Sequence, residues 1–159
     1  MKFALALVAV SVALSTSSAF AADVVGCRRT PYIPILNPNN IEYQYERTGT
    51  TLLTLTFKKF DGGGAKKKLG EGLEKAMGNL PDKTLVKSFL QSADIKVGTV
   101  VKIEWANGAT TFEVDGKPLV DEKGSKALLS NTLLSTISTF IEREILAKGE
   151  YGSDLKACN

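Results

Sequence analysis

Apolar and polar residues alternate along the middle of this chain with two distinct periods. Ile41, Tyr43 and Tyr45 alternate with Glu42, Gln44 and Glu46, a period of two that predicts a half-buried strand. Thr48-Gly49 offers a turn, and Leu53, Leu55 and Phe57 then alternate with Thr54 and Thr56, so the two runs read as a hairpin. The period becomes helical over 64–77. There Ala65, Leu69, Leu73, Ala76 and Met77 recur at spacings of three and four, with Lys66, Lys67, Glu71, Glu74 and Lys75 on the polar side. Gly78-Asn79 supplies a C-terminal stop.

Asp82 reads as the N-cap of a second helix whose apolar side is Leu85, Val86, Phe89 and Leu90. Val97, Val101, Ile103 and Trp105 then share a strand period, Asn107-Gly108 is a strong hairpin signal, and Thr110, Phe112 and Val114 return along the partner strand. Asp115-Gly116 repeats the turn and leads into a short edge strand over 117–120, with Pro118 near its start. A long helix over 124–148 follows, with Leu128, Leu129, Leu133, Ile137, Phe140, Ile141 and Ile145 on one broad face. The predicted fold class is α+β: a mostly antiparallel, open-faced sheet with helices packed on one face.

The two ends read differently. Residues 1–22 carry one lysine, an apolar run from Phe3 to Leu14 and small residues up to Ala22, the pattern of a cleaved signal peptide. That run is too short to span a bilayer as a permanent helix, and no later segment approaches about 18 consecutive apolar residues. The expected product is exported, periplasmic or secreted, a single domain over 23–159 with no stable membrane span. Its first part, 23–40, holds three of the five prolines and two adjacent arginines and reads as an extended arm.

Cys27 and Cys158 stand near opposite ends of that product. In an oxidising compartment an even count favours one disulfide between them. By loop entropy such a bond stabilises by up to about 4 to 5 kcal/mol. Formal charge is +3, and +2 once Lys2 is removed, which makes no case for nucleic acid.

The chain has no histidine, which excludes Ser/His/Asp and Cys/His nucleophilic sites and imidazole metal sites. Gly62-Gly63-Gly64 lacks the spacing of a phosphate-binding loop, so no cofactor and no metal is expected.

The segments "LTLTFKKFDGGGAKKKLGEGLEKAM", "LVKSFLQSADIKVGTVVKIEWANGATTFEVDGKPL" and "SKALLSNTLLSTI", in this order, resemble the chalcone isomerase superfamily, its exported bacterial-type members most closely. The resemblance covers about 51–146. It implies an open-faced sheet with an apolar ligand cleft between sheet and helices, in a family of ring-closing isomerases, fatty-acid-binding relatives and auxiliary proteins. In gapless register with the helix entrance of the plant enzymes, the family's catalytic tyrosine falls on Ala65, its ligand-binding lysine on Lys68 and its asparagine on Gly72. Only the lysine is kept, and no upstream strand matches the one bearing the family's catalytic arginine.

Lys68 also lies near the border of the apolar stripe, where a lysine either snorkels over the core or reaches an anionic ligand. Tyr43 and Tyr45 alternate onto one strand face beside Arg47, where a carboxylate or phenolate would meet phenol and guanidinium. The alternative there is aromatic cross-strand packing with an exposed arginine. Ser130, Thr132 and Ser135 are candidates for the family's late hydroxyl.

The leading expectation is a non-catalytic binder of a small amphipathic ligand, a fatty acid or a phenolic. Its rivals are a chalcone-flavanone isomerase using Lys68 and a structural or interaction protein without a cleft. The exposed edge of a shortened sheet also offers a surface for self-association.

Overall fold

Six strands run antiparallel in chain order: β1 Val24–Arg29, β2 Asn40–Thr48, β3 Leu52–Asp61, β4 Val100–Ala106, β5 Ala109–Val114 and β6 Lys117–Pro118. Helices α1 Ala65–Met77 and α2 Lys83–Ser92 lie between β3 and β4, and α3 Leu133–Ala147 follows β6. The structure, a computed structural model, describes residues 24–29, 40–62 and 64–147. The expected signal peptide, most of the expected arm and Cys158 lie outside the described residues.

The turn chemistry read from sequence produces the meander. Asn107 and Gly108 have φ of 52° and 80°, and Asp115 and Gly116 have 49° and 74°. Two consecutive positive φ angles suit two-residue hairpins, whose twist matches that of the flanking strands. The Asp115 carboxylate also accepts from the Thr99 hydroxyl at 3.1 Å and from the Val100 N–H at 2.8 Å, tying this turn to the start of β4.

Register then lines up one apolar face. Tyr45 pairs with Leu55, Leu55 with Val101, and Val101 with Val114; one row over, Arg47, Leu53, Ile103 and Phe112 stand in line. Leu53, Leu55, Phe57, Val101, Ile103, Phe112 and Val114 are buried and form one cluster with Leu69, Leu73 and Met77 of α1, Val86 and Leu90 of α2, and Leu133, Leu134, Ile137 and Ile141 of α3. The helices cover this face.

β2 and β3 slip register between Glu42 and Tyr43, leaving Lys58 as the extra residue of a bulge. Residues three apart in a regular strand face opposite sides. The bulge brings Phe60 round to the face of Phe57, and their rings meet edge to face at 5.3 Å.

Several expectations need correction. The arm contributes a strand, since Val24–Arg29 pairs along β2 from Val24–Arg47 to Arg29–Glu42. The last helix begins at Leu133, not at 124, because the chain before it continues the sheet edge. The Leu119 N–H donates to the Phe112 carbonyl at 2.8 Å, and Leu129 exchanges bonds with Thr110 at 2.8 and 3.3 Å. Ala127 and Leu129 are buried while Leu128 is 74% exposed, a period of two that the leucine spacing disguised. Val97 lies in a turn, exposed, and Leu85 and Trp105 are exposed at the margin of the core.

Asp82 stands at the N-cap position of α2, yet its side chain caps nothing there. It accepts instead from the Ser130 N–H at 2.8 Å, 48 residues away, and so anchors the segment that enters α3.

Candidate functional site

Tyr45 and Arg47 are two residues apart on β2, so both side chains project from the helix-covered face. The last turns of α3 cross that face and bring Glu142 to them. Tyr45 Oη donates to Glu142 Oε1 at 2.5 Å, and Arg47 Nε donates to the same oxygen at 2.5 Å. Arg47 Nη1 donates to the Gly49 carbonyl at 2.7 Å, which fixes the guanidinium against the β2–β3 turn. Nη2 donates to no group among the described residues, and Glu142 Oε2 accepts from neither partner.

The environment is graded. Tyr45 is fully buried, whereas the Arg47 and Glu142 side chains keep 22% and 26% of their surface. Burial of the phenol, reinforced by its bond to Glu142, pushes Tyr45 ionisation far above the usual tyrosine range. The bond to Glu142 holds Arg47 still more firmly protonated. At neutral pH the site is a neutral phenol and a cation converging on one carboxylate oxygen.

Tyr43 projects from the same face and meets Phe57 edge to face at 5.9 Å, and Phe57 in turn meets Phe60. Tyr43 and Phe60 are only partly buried. An aromatic strip therefore runs along the β2–β3 ladder beside the polar pair, and it exists because of the Lys58 bulge.

The structure thus brings together three of the four residues nominated for a ligand. Lys68 stands apart from them on α1. It is 52% exposed and its ammonium lies 3.9 Å from Glu71, within its own helix.

Of the neighbouring lysines, Lys67 lies 3.9 Å from Glu71 within its own helix, and Lys66 answers to α2. Lys66 Nζ donates to the Gln91 carbonyl at 3.4 Å, in the last turn of α2, where carbonyls lack helical partners and cations are favoured. Lys66, ill placed for the dipole of its own helix, is well placed for the next.

The hydroxyls nominated for the late position are spent locally, and only Ser135 of the three lies in α3. The Ser130 and Thr132 hydroxyls lie 3.0 Å apart, Ser135 Oγ donates to the Thr132 carbonyl at 2.9 Å, and Thr132 and Ser135 are exposed. Ala65 and Gly72, at the positions of the family's tyrosine and asparagine, offer no functional group; Ala65 is buried and Gly72 exposed.

Cys27 is buried on the opposite face of the sheet, with its Sγ 3.9 Å from Glu42 Oε1. Its expected partner, Cys158, lies outside the described residues.

A cavity of about 400 Å³ opens between the end of α2 and the β5–β6 turn, lined by Phe89, Ala93 and Val114 with Asp94, Lys96, Asp115 and Lys117. Its charges are of both signs, Asp115 is committed to the turn, and none of the nominated residues reaches it. Among the described residues no three His, Cys, Asp or Glu side chains form a metal-binding group, and no helix is long and apolar enough to cross a membrane.

No family model, curated protein or solved structure matches the chain. The site must therefore be read from its own chemistry.

Sequence reasoning missed Glu142. A signal was present, because Glu142 lies four and eight residues after Ser138 and Leu134, both buried, on a helix facing a strand that bears an arginine. An acid on the apolar stripe of a helix needs a partner.

Proposed function

We propose that this protein is an exported, non-catalytic binder of a small amphipathic carboxylate or phenolate, of the chalcone isomerase-like kind its sequence resembles. Tyr45 and Arg47 seat the anionic head, and the part-buried rings of Tyr43 and Phe60, backed by the buried ring of Phe57, take the apolar body. One observation carries this reading. A buried phenol and a guanidinium converge on a single carboxylate oxygen, with the Arg47 Nη2 donors to spare, so the pair already performs anion recognition on Glu142. Glu142 stands where the head of a ligand would lie.

Catalysis is left out because the groups a ring closure would need are absent where the resemblance puts them. Ala65 and Gly72 supply neither hydroxyl nor amide, and Lys68 sits on α1 with Glu71 as its partner. On the same reading Cys27 and Cys158 form a disulfide in the exported protein, and dimers form through a sheet edge.

A second reading has support in the same contact. If Glu142 holds its place permanently, the pair only fastens α3 to the sheet, and the protein is a structural module without a ligand.

Native mass spectrometry of the exported protein, with organic extraction of whatever is released, separates the two. A stoichiometric amphipathic acid or phenol, lost in Arg47→Ala, is the expected result. An empty protein that also fails to take up added decanoate would overturn the binding reading. The same spectra report the oligomer and the two-hydrogen deficit of a disulfide.

A further inference from the structure

We infer that Glu142 is the specificity-determining residue of this site, a tethered competitor that admits only carboxylates carrying an apolar body and turns away head groups alone. The inference rests on the binding reading above and concerns what selects the ligand.

The geometry of the contact gives three reasons. Glu142 uses the donors incompletely: Tyr45 Oη and Arg47 Nε share one of its oxygens, and Nη2 is left over among the described residues. A carboxylate lying in the plane of the guanidinium can take Nε and Nη2 with two oxygens while still accepting from Tyr45, a fuller set than Glu142 makes.

Next, departure needs no unfolding. With a quarter of its side chain exposed, Glu142 can swing to water about its own torsions while Leu133, Leu134, Ile137 and Ile141 keep α3 in place. Among the described residues the hydrogen bonds from Tyr45 and Arg47 are the side-chain polar ties between α3 and the sheet, and these are the bonds that a ligand's carboxylate replaces.

Last, a group tethered beside its receptor competes at an effective concentration of about millimolar or above. A free acetate, chloride or phosphate brings one ionic contact and must outcompete an equal one already in place. A ligand with a hydrocarbon or aromatic body adds contact with the part-buried rings of Tyr43 and Phe60, which Glu142 cannot match from α3. Discrimination then comes from the built-in competitor as much as from the apolar strip, a penalty applied to every anion and repaid only by the right body.

The test is a calorimetric titration of the wild type, Glu142→Ala and Glu142→Gln with propanoate and with decanoate below its micelle concentration. The wild type is expected to bind decanoate and not propanoate. Glu142→Ala is expected to bind both, with decanoate tightened at least tenfold. Glu142→Gln keeps the shape and a weaker acceptor, so it should tighten decanoate by a smaller factor; it serves alone if the alanine variant does not fold.

Equal decanoate affinity in the wild type and both variants would overturn the competitor role while leaving the binding reading intact. Decanoate binding to none of the three would overturn both. Propanoate binding to the wild type as tightly as to Glu142→Ala would show that Glu142 filters nothing.

Discussion

Removing the Tyr45 hydroxyl and the Glu142 charge, singly and together, measures whether the contact between sheet and α3 is real. Tyr45 Oη is fully buried and donates to an ionised acceptor, a class of bond contributing about 1.5–3 kcal/mol. Glu142 and Arg47 each keep about a quarter of their surface, which moves the expectation to the low end of that range. Tyr45→Phe should cost about 1.5 kcal/mol and leave no orphaned donor, because the hydroxyl leaves with its bond.

Glu142→Gln keeps shape but weakens the acceptor for both donors, and should cost about 2 kcal/mol. The double variant should cost about 2.5 kcal/mol, giving a coupling of about 1 kcal/mol between residues 97 positions apart in sequence. Urea denaturation at pH 7 reads all four proteins, with an unchanged slope as the check that only stability moved. A coupling below about 0.3 kcal/mol would mean that the two side chains do not interact, and the site would lose its foundation.

Three further outcomes are expected. Thr110 Oγ1 is buried without a hydrogen-bond partner among the described residues, so Thr110→Val should raise stability by about 1 kcal/mol in the same urea assay, and a loss would mean the hydroxyl is satisfied. Asp82→Ala should cost about 1 kcal/mol and speed hydrogen exchange at the Ser130 amide, whereas a helix-capping role would instead speed exchange in the first turn of α2. The folded-state pKa of Tyr45 lies above its unfolded value of about 10, so the stability it contributes is complete below that pH. It is lost as pH rises from about 10 toward the folded value, by up to about 1.4 kcal/mol per pH unit. The unfolding midpoint of Tyr45→Phe should fall less steeply above pH 10 than that of the wild type.

Much of the fold was legible because local chemistry and burial agreed. Asn107-Gly108 and Asp115-Gly116 demanded positive φ and received it, and the three-and-four spacing of Leu69, Leu73 and Met77 matched the face that α1 buries. Legibility failed where long-range pairing overrode local period. Ala127 and Leu129 resembled the start of the final helix, yet Leu129 found a backbone partner in Thr110 of β5 and Ala127 one in Leu119. Residues 24–29 had no period of their own and became a strand because β2 presented an unpaired edge.

The site was half legible for a related reason. Parity on one strand was enough to group Tyr43, Tyr45 and Arg47, which follow from a repeat of two residues. The bulge at Lys58 that turns Phe60 inward, and the meeting with Glu142, depend on how β3 pairs and where α3 begins. The bulge cannot be read from the residues concerned, and the misplaced start of α3 masked the spacing from Leu134 and Ser138 that puts Glu142 toward β2.

The most direct test of the central claim is a heteronuclear NMR titration of the wild-type protein with decanoate, following the Arg47 Nε–H together with the ring signals of Tyr43 and Phe60. A ligand seated as proposed should shift all three to saturation with one affinity, as Arg47 exchanges Glu142 for a new carboxylate and the strip is covered. Saturable shifts confined to the cavity residues Phe89, Val114 and Lys117, with Arg47 unmoved, would place the ligand elsewhere and contradict the claim.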